Sequence, residues 1–490
     1  MNLDYIFWED MPSDEFILQT SGEEVKPTLT FSRDENYRLI CNIKTVPGYQ
    51  AAWDNNFGKG RKAGKLYSDI QVISAVTLHG HLKAELEIHP SSWASFSPKE
   101  VVYEPEAAKV TLRWTIAKDH DTKTLVYFFL SNINAGNICF PGHISLETSS
   151  EAKIKLAGTI DDMLKMPMMS RHSWGCFQLK INEKNFIFGK VDKKTTNNLP
   201  GAFLRFEKDN FPTENELFTI INFLVYLTGS ELIPIGHIKF GANYSINEQV
   251  FLSTFRDNTT ALLRHNPMPV IPLGLKAENG KGKFLTDEKT VSFLLTQYSA
   301  TKDSLPLDYL VYCIKCFRAV SLDFQMNILA TAFDFIRKAW FKSEKSSSGG
   351  KYLQDKKFLE VMVKHLSAIE SELGSHMLKK KIINNLKNAN HFTLQEESSV
   401  FFEEIGLKIG EVEKEIIRQR HKSIHGELRG RDYQKLVFMT YGAYSLLNKI
   451  VLKLLGYEGL FVDYSSYNFP SRNMDEPLGG PIEDGPEESS

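Results

Sequence analysis

Apolar and polar residues alternate with period two through much of the first half of the chain. In Ala108–Ile116 (AKVTLRWTI), Val110, Leu112, Trp114 and Ile116 fall on one face, with Lys109, Thr111, Arg113 and Thr115 on the other. The device recurs in His81–Ile88, with Leu82, Ala84, Leu86 and Ile88 inward, then at Ile70, Val72, Val76 and Leu78, and at Tyr37, Leu39, Cys41 and Ile43. Alternation of this kind, repeated between turn-rich gaps, marks half-buried strands and predicts a β-sandwich or barrel-like domain over residues 1–255. One helix interrupts it near 213–228. Thr213 and Glu216 have the spacing of a capping box, Leu217, Ile220, Ile221 and Leu224 follow at helical intervals, and Gly229 stands where such a helix ends. Strand-like sequence resumes over Glu231–Phe240. From 256 to 305 the pattern weakens through HNPMPVIP and ENGKGK, which reads as a connector.

After Leu307 the period changes to 3.6. Leu307–Phe341 predicts two long helices joined near Ser321, and SEKSSSGGK, from Ser343, predicts a loop. Helical patterns follow at about 353–373, 376–389, 396–425 and 432–456, giving an all-α domain over 306–465. The expected fold class is therefore α+β and multidomain, a β-rich part followed by a helical bundle. Residues 466–490, ending in the proline-, glycine- and acid-rich SRNMDEPLGGPIEDGPEESS, predict a disordered acidic tail, because they offer little apolar surface to offset the cost of ordering.

Composition narrows the function classes. A formal net charge of −2 over 490 residues gives no global electrostatic signature of a nucleic-acid partner, so any basic site must be local. The five cysteines are odd in number and follow no leader-like segment, which argues against a disulfide framework. No stretch approaches the roughly 20 apolar residues of a membrane span, and the chain reads as cytosolic.

Several short motifs have ordinary explanations. CIKC (Cys313–Cys316) has no second CxxC and lies within a predicted helix, where both thiols can pack. His79 and His81 share a strand face without a third ligand, and GKGRKAGK (Gly58–Lys65) lacks the spacing of a phosphate-binding loop. Arg113 and His120 have a suggestive spacing, but one falls on a polar strand face and the other in a turn.

RQRHKSIHGELRG, residues 418–430, carries more chemistry. His421 and His425 are four apart and share a helix face, Arg420 flanks it, and Arg418, Lys422, Arg429 and Arg431 surround it against one acid, Glu427. An imidazole that titrates near neutrality beside a guanidinium suits proton transfer at a phosphodiester. A plain alternative stands beside this one: basic residues gather at helix C-termini, where the macrodipole is negative, and Gly426 is a natural terminator. Asp334, inside ATAFDFI, reads either as a polar boundary residue or as an acid that holds the motif arginine.

The run Arg420, His421, Lys422–Ile424, His425 resembles the signature of HEPN-domain proteins, an arginine, a polar residue, three more positions and a histidine. The following YQKLVFMTYGAYSLLNKIVLKLLGYEGLFVDY is similar to the tail of large ApeA-like HEPN proteins, including the Gly-Tyr turn at Gly456 and Tyr457. The resemblance implies an α-helical HEPN bundle after a β-rich domain. It also implies metal-independent RNA cleavage without a cofactor, in antiviral defence. It casts His425 as the proton-transfer group and Arg420 as the stabiliser of charge at phosphorus. His421 would orient His425 or touch the phosphate, and Arg418, Lys422, Arg429 and Arg431 would guide the RNA backbone. HEPN domains commonly pair with their motifs facing across a two-fold axis, which implies a homodimer. The β-rich domain is left to sense a trigger ligand or to restrain the nuclease. Two rival functions remain open: a non-catalytic HEPN protein that binds RNA or nucleotide, and a β-domain binding protein with a helical dimerisation module.

Overall fold

A computed structural model describes residues 16–18, 28–33, 38–45, 71–77, 82–96, 101–114, 121–133, 138–146, 152–155, 161–164, 173–191, 201–241, 245–254, 266–278, 281–424 and 433–481. The protein is mixed α/β, with a large antiparallel sheet in the N-terminal half and helices in the C-terminal half. It divides into two compact units. One comprises residues 1–269 and 273–292, the other 270–272 and 293–490.

The strands of the first unit are β1 (Phe16–Leu18), β2 (Thr28–Arg33), β3 (Leu39–Thr45), β4 (Gln71–Thr77), β5 (Leu82–Phe96), β6 (Val101–Trp114) and β7 (Thr124–Leu130). There follow β8 (Gly142–Leu146), β9 (Ala152–Lys155), β10 (Asp161–Leu164), β11 (Ser173–Ile181), β12 (Lys184–Val191), β13 (Gly201–Glu207), β14 (Ile233–Phe240) and β15 (Ile246–Leu252). They pair in the order β10-β9-β8-β11-β12-β13-β7-β14-β15-β6-β3-β2-β1-β4-β5, and β5 pairs back onto β6. Strand β6 makes this possible. One of its edges runs beside β5, while the other is shared between β3 at Val101–Ala107 and β15 at Lys109–Arg113. The ladder from β6 through β3, β2, β1, β4 and β5 thereby closes on itself.

Alternation translates directly into burial on the outer strands: β2 alternates half-buried and buried, and Leu39, Cys41, Ala84, Leu86, Val110 and Leu112 are all in the core. Thr111, expected on the polar face, is buried too, its short side chain lying in register between Glu85 of β5 and Val250 of β15. The central strands β7 and β13 are buried on both faces, in keeping with their largely apolar sequences (TLVYFFL, GAFLRFE), and the buried Arg205 is paired with Glu207 at 2.8 Å. Helix α1 (Glu214–Thr228) has the capping box that its sequence predicts, formed between Thr213 and Glu216, and ends at Gly229 in the left-handed conformation. The polar-face assignment of Arg113 also holds, since it is exposed and bridges Glu85 and Glu248 at 2.9 Å each. His79, His81, His120 and Gly58–Lys65 lie outside the described residues.

The segment expected as a connector carries structure of its own. Leu275–Glu278 and Lys281–Phe284 form a hairpin, and α2 spans Glu288–Thr301. Short turn-flanked strands of four residues offer too little periodicity to register in sequence.

In the second unit, α3 (Leu307–Ala319) and α4 (Leu322–Lys342) meet at Ser321, where the predicted joint lies. After them come α5 (Asp355–Glu372), α6 (Lys379–Lys387), α7 (Leu394–Glu404), α8 (Glu411–Ile424) and α9 (Tyr433–Leu454). Helix α4 is the hub and packs against α3, α7, α8 and α9. The core includes Phe333, Ile336, Phe401, Phe402, Tyr444 and Ile450, with the Phe317 and Tyr444 rings stacked 5.1 Å apart. Cys313 is buried and Cys316 partly so.

Two expectations need correction. The single helix expected over 396–425 is two helices, α7 and α8. Gly406 takes φ +68°, and Leu407 N donates to Phe402 O at 2.8 Å, closing α7 before its axis can continue. The tail expected to be disordered from 466 is packed as far as Gly480. Ser471–Asn473 pairs with Leu460–Val462, and Met474 and Leu478 are buried. Buried polar partners hold it there. Asp463 accepts from Arg472 Nε, Ser466 Oγ and Gly479 N, so a stretch poor in apolar residues is fixed by hydrogen bonds to a carboxylate.

Candidate functional site

Helix α8 carries the start of the RHKSIH run. Its first turn is acidic, with Glu411 and Glu413, which suits the positive end of the macrodipole. Glu413 is wholly buried and accepts from Gly410 N at 3.0 Å and Leu478 N at 2.8 Å; Lys449 of α9, also wholly buried, lies 3.6 Å away. Lys449 also donates to the carbonyls of Glu476 (2.5 Å) and Lys408 (3.3 Å). One buried ion pair thus fixes the beginning of α8, the middle of α9 and the C-terminal segment together. Further along, Ile416 is buried where α8 meets α9 at Gly442, and a Cβ at Gly442 would stand 2.7 Å from Ile416 Cδ1. The missing side chain lets the two helices approach closely.

Opposite this anchored side, α8 faces α7 across a groove of roughly 550 Å³. Lys414 and Arg418, one turn apart, line it from α8, and Gln395, Ser398 and Ser399 line it from α7. Leu394, Phe402, Ile409 and Ile417 supply its apolar surface. Lys414 is held by Glu411 at 2.7 Å and Arg418 by Glu415 at 3.1 Å. The Arg418 side chain is 63% exposed, so its ion pair exchanges readily with an incoming anion.

Behind this wall is a buried guanidinium. Arg337 of α4 lies 3.3 Å from Asp334 and 3.2 Å from Glu397, and its Nη1 donates to Ser398 Oγ (3.1 Å) and Leu394 O (3.3 Å). Asp334 therefore shares an arginine, Arg337, with Glu397. The Ser398 hydroxyl in turn donates to Leu394 O at 2.9 Å, so its orientation is set from both sides.

The sequence candidates divide as follows. Arg418 lines the groove. Arg420, His421 and Lys422 lie in α8, whose backbone is helical to Ile424, and the position of His421 continues the stripe of Lys414 and Arg418 at intervals of four and three. Position 420 continues a different flank, four after the buried Ile416 and seven after Glu413. His425, Arg429 and Arg431 lie outside the described residues. Lys414, Gln395, Ser398, Ser399 and Arg337 were not among the candidates. Lys414 had a signal, standing four before Arg418 on one helical stripe, whereas the α7 residues come near only through tertiary packing.

No group of His, Cys, Asp and Glu among the described residues has the arrangement of a metal site, and no described helix is long and apolar enough to cross a membrane. In comparisons with protein families, curated proteins and solved structures, nothing matches the chain.

Proposed function

We propose that the chain is a metal-independent endoribonuclease of the HEPN type, an effector of antiviral defence, in which a barrel-like N-terminal domain senses or restrains and the helical unit cleaves RNA. The observation that carries this reading is that α8, whose groove side presents Lys414 and Arg418, also carries the start of the Arg-His run, Arg420 to Ile424. Phosphodiester chemistry needs cations that do not themselves react beside a group that moves a proton, and the sequence sets Arg418 and Arg420 within a few residues of His425.

RNA brings its own nucleophile. His425 takes the proton of the 2′-hydroxyl, and the freed 2′-oxygen attacks the adjacent phosphorus in line. The bond from phosphorus to the 5′-oxygen breaks, leaving a 2′,3′-cyclic phosphate, and the departing 5′-oxygen takes a proton to become a hydroxyl. An imidazole with an ordinary pKa of about 6.5 serves as base or acid near neutrality. Arg420 stabilises the charge that builds on the phosphoryl oxygens. The second proton-transfer group comes from a second copy of the chain, with Arg420 and His425 of both chains facing across a two-fold axis. His421 orients His425, and Lys422, Arg429 and Arg431 steer the backbone.

The test is single-stranded RNA cleavage by the full-length protein in excess EDTA, with end-group analysis and a substrate carrying 2′-deoxyribose at the cut site. Cleavage that survives the chelator, leaves cyclic phosphate and stops at the deoxy position is expected. Cleavage abolished by EDTA, or continuing at the deoxy position, contradicts the mechanism.

A further inference from the structure

The geometry points to the groove between α7 and α8 as a binding site for one ribonucleotide unit. This deepens the ribonuclease reading: the identity of the ligand as a ribonucleotide rests on it, while the site itself rests on the groove. A volume of roughly 550 Å³ falls within the range of small-molecule pockets, about 300–1,000 Å³.

Its two walls have different chemistry. On α8, Lys414 and Arg418 offer donors and positive charge to a phosphate, and no carboxylate is among the groove-lining side chains of the described residues. On α7, the hydroxyls act mainly as acceptors. Ser398 already spends its proton on Leu394 O and takes one bond from Arg337, and Ser399 spends its proton on Gln395 O at 3.2 Å. Ser399, the exposed one of the two, is left with acceptor capacity that suits ligand donors such as sugar hydroxyls or a base amino group. Between the walls, Leu394, Ile409 and Ile417 supply apolar surface for a sugar or base face. An anion alone would use one wall, and a nucleoside alone would leave the cations unused. A nucleotide uses both.

Arg337 gives the α7 wall its rigidity. It is buried, and it fixes Ser398 and the Leu394 carbonyl from behind, while Asp334 and Glu397 balance its charge. The wall that carries Ser399 is therefore ordered before a ligand arrives, which lowers the ordering cost of binding.

The experiment titrates the full-length protein calorimetrically with adenosine 5′-monophosphate, adenosine and inorganic phosphate. The variants are Ser399→Trp, which fills the groove from an exposed position, and the double Lys414→Ala/Arg418→Ala, which removes its cations. RNA cleavage is assayed on the same preparations. The monophosphate is expected to bind the parent at least tenfold more tightly than adenosine or phosphate, and both variants to weaken it at least tenfold. No binding to the parent, equal affinity for phosphate alone, or affinity unchanged in either variant overturns the site. Groove-dependent binding without any cleavage, either by the purified protein or in phage-challenged cells, upholds the site and removes the ribonuclease reading. Cleavage with groove-indifferent binding does the reverse.

Discussion

Lys449 and Glu413 are both wholly buried and 3.6 Å apart, a costly pair to desolvate and a more costly one to break. Burial lowers the pKa of Lys449, against the pull of Glu413. Lys449→Met leaves Glu413 in the core without its cation and is expected to destabilise the second unit by about 3–5 kcal/mol in denaturant unfolding. Adding Glu413→Gln to it should recover part of that loss; a double variant whose loss equals the sum of the singles would show the two residues act independently. Glu404, at the end of α7, is a second carboxylate, half-buried, with a different set of partners. Burial pushes its carboxyl up, but donation from Trp340 Nε1 (2.6 Å), the Ser346 and Ser347 hydroxyls (2.8 Å each) and Ser348 N (2.9 Å) outweighs it and holds the pKa at about 2. With the folded value depressed, the unfolded chain binds the extra proton. Stability from this group is thus complete above the ordinary carboxylate range near 4.5 and is lost as pH falls towards about 2. In Glu404→Gln, unfolding profiles measured between pH 5 and 2 should lose part of their slope; an unchanged acid limb would remove Glu404 as its source.

At the scale of elements, the approach of α8 to α9 depends on the open space at Gly442. Gly442→Ala is expected to be tolerated, because the atom it meets is the flexible end of Ile416. Gly442→Leu overpacks the contact, is expected to cost about 1–3 kcal/mol, and displaces the motif helix. RNA cleavage should then fall more than thermal stability does, and equal cleavage by the Leu variant and the parent would show that α8 need not be seated. The helices were largely legible because long apolar stripes and punctuation such as Thr213, Ser321 and Gly229 act locally. The break inside 396–425 was missed although Gly406 and Gly410 mark it, since the apolar period runs on across them. Thr393 and Glu396, which form the capping box of α7, likewise announced its start two residues earlier than its apolar pattern did. The outer strands were legible by alternation, whereas the closing of β5 onto β6 and the groove beside α8 join positions far apart in sequence and carry no local signature.

For the whole molecule, the division into a sheet-rich and a helical unit fits a chain that couples sensing or restraint to cleavage, and the proposed two-fold pairing supplies the second histidine that acid–base cleavage needs. The packed C-terminal segment belongs to this scale as well, because Glu413, Lys449 and Asp463 bind it into the helical unit as far as Gly479. The measurement that bears most directly on the central claim is RNA cleavage by full-length Arg420→Ala and His425→Ala beside the parent, made on a resting preparation and in phage-challenged cells. Mass and circular dichroism must first show each variant folded and in the same oligomeric state as the parent. The account predicts a dimer in all three, cleavage by the parent, and a loss of at least about a hundredfold in either variant, in line with roughly 10²–10⁴-fold for a positioned proton-transfer group such as His425 and roughly 10²–10³-fold for a charge-stabilising donor such as Arg420. Folded variants that cleave as fast as the parent would contradict it.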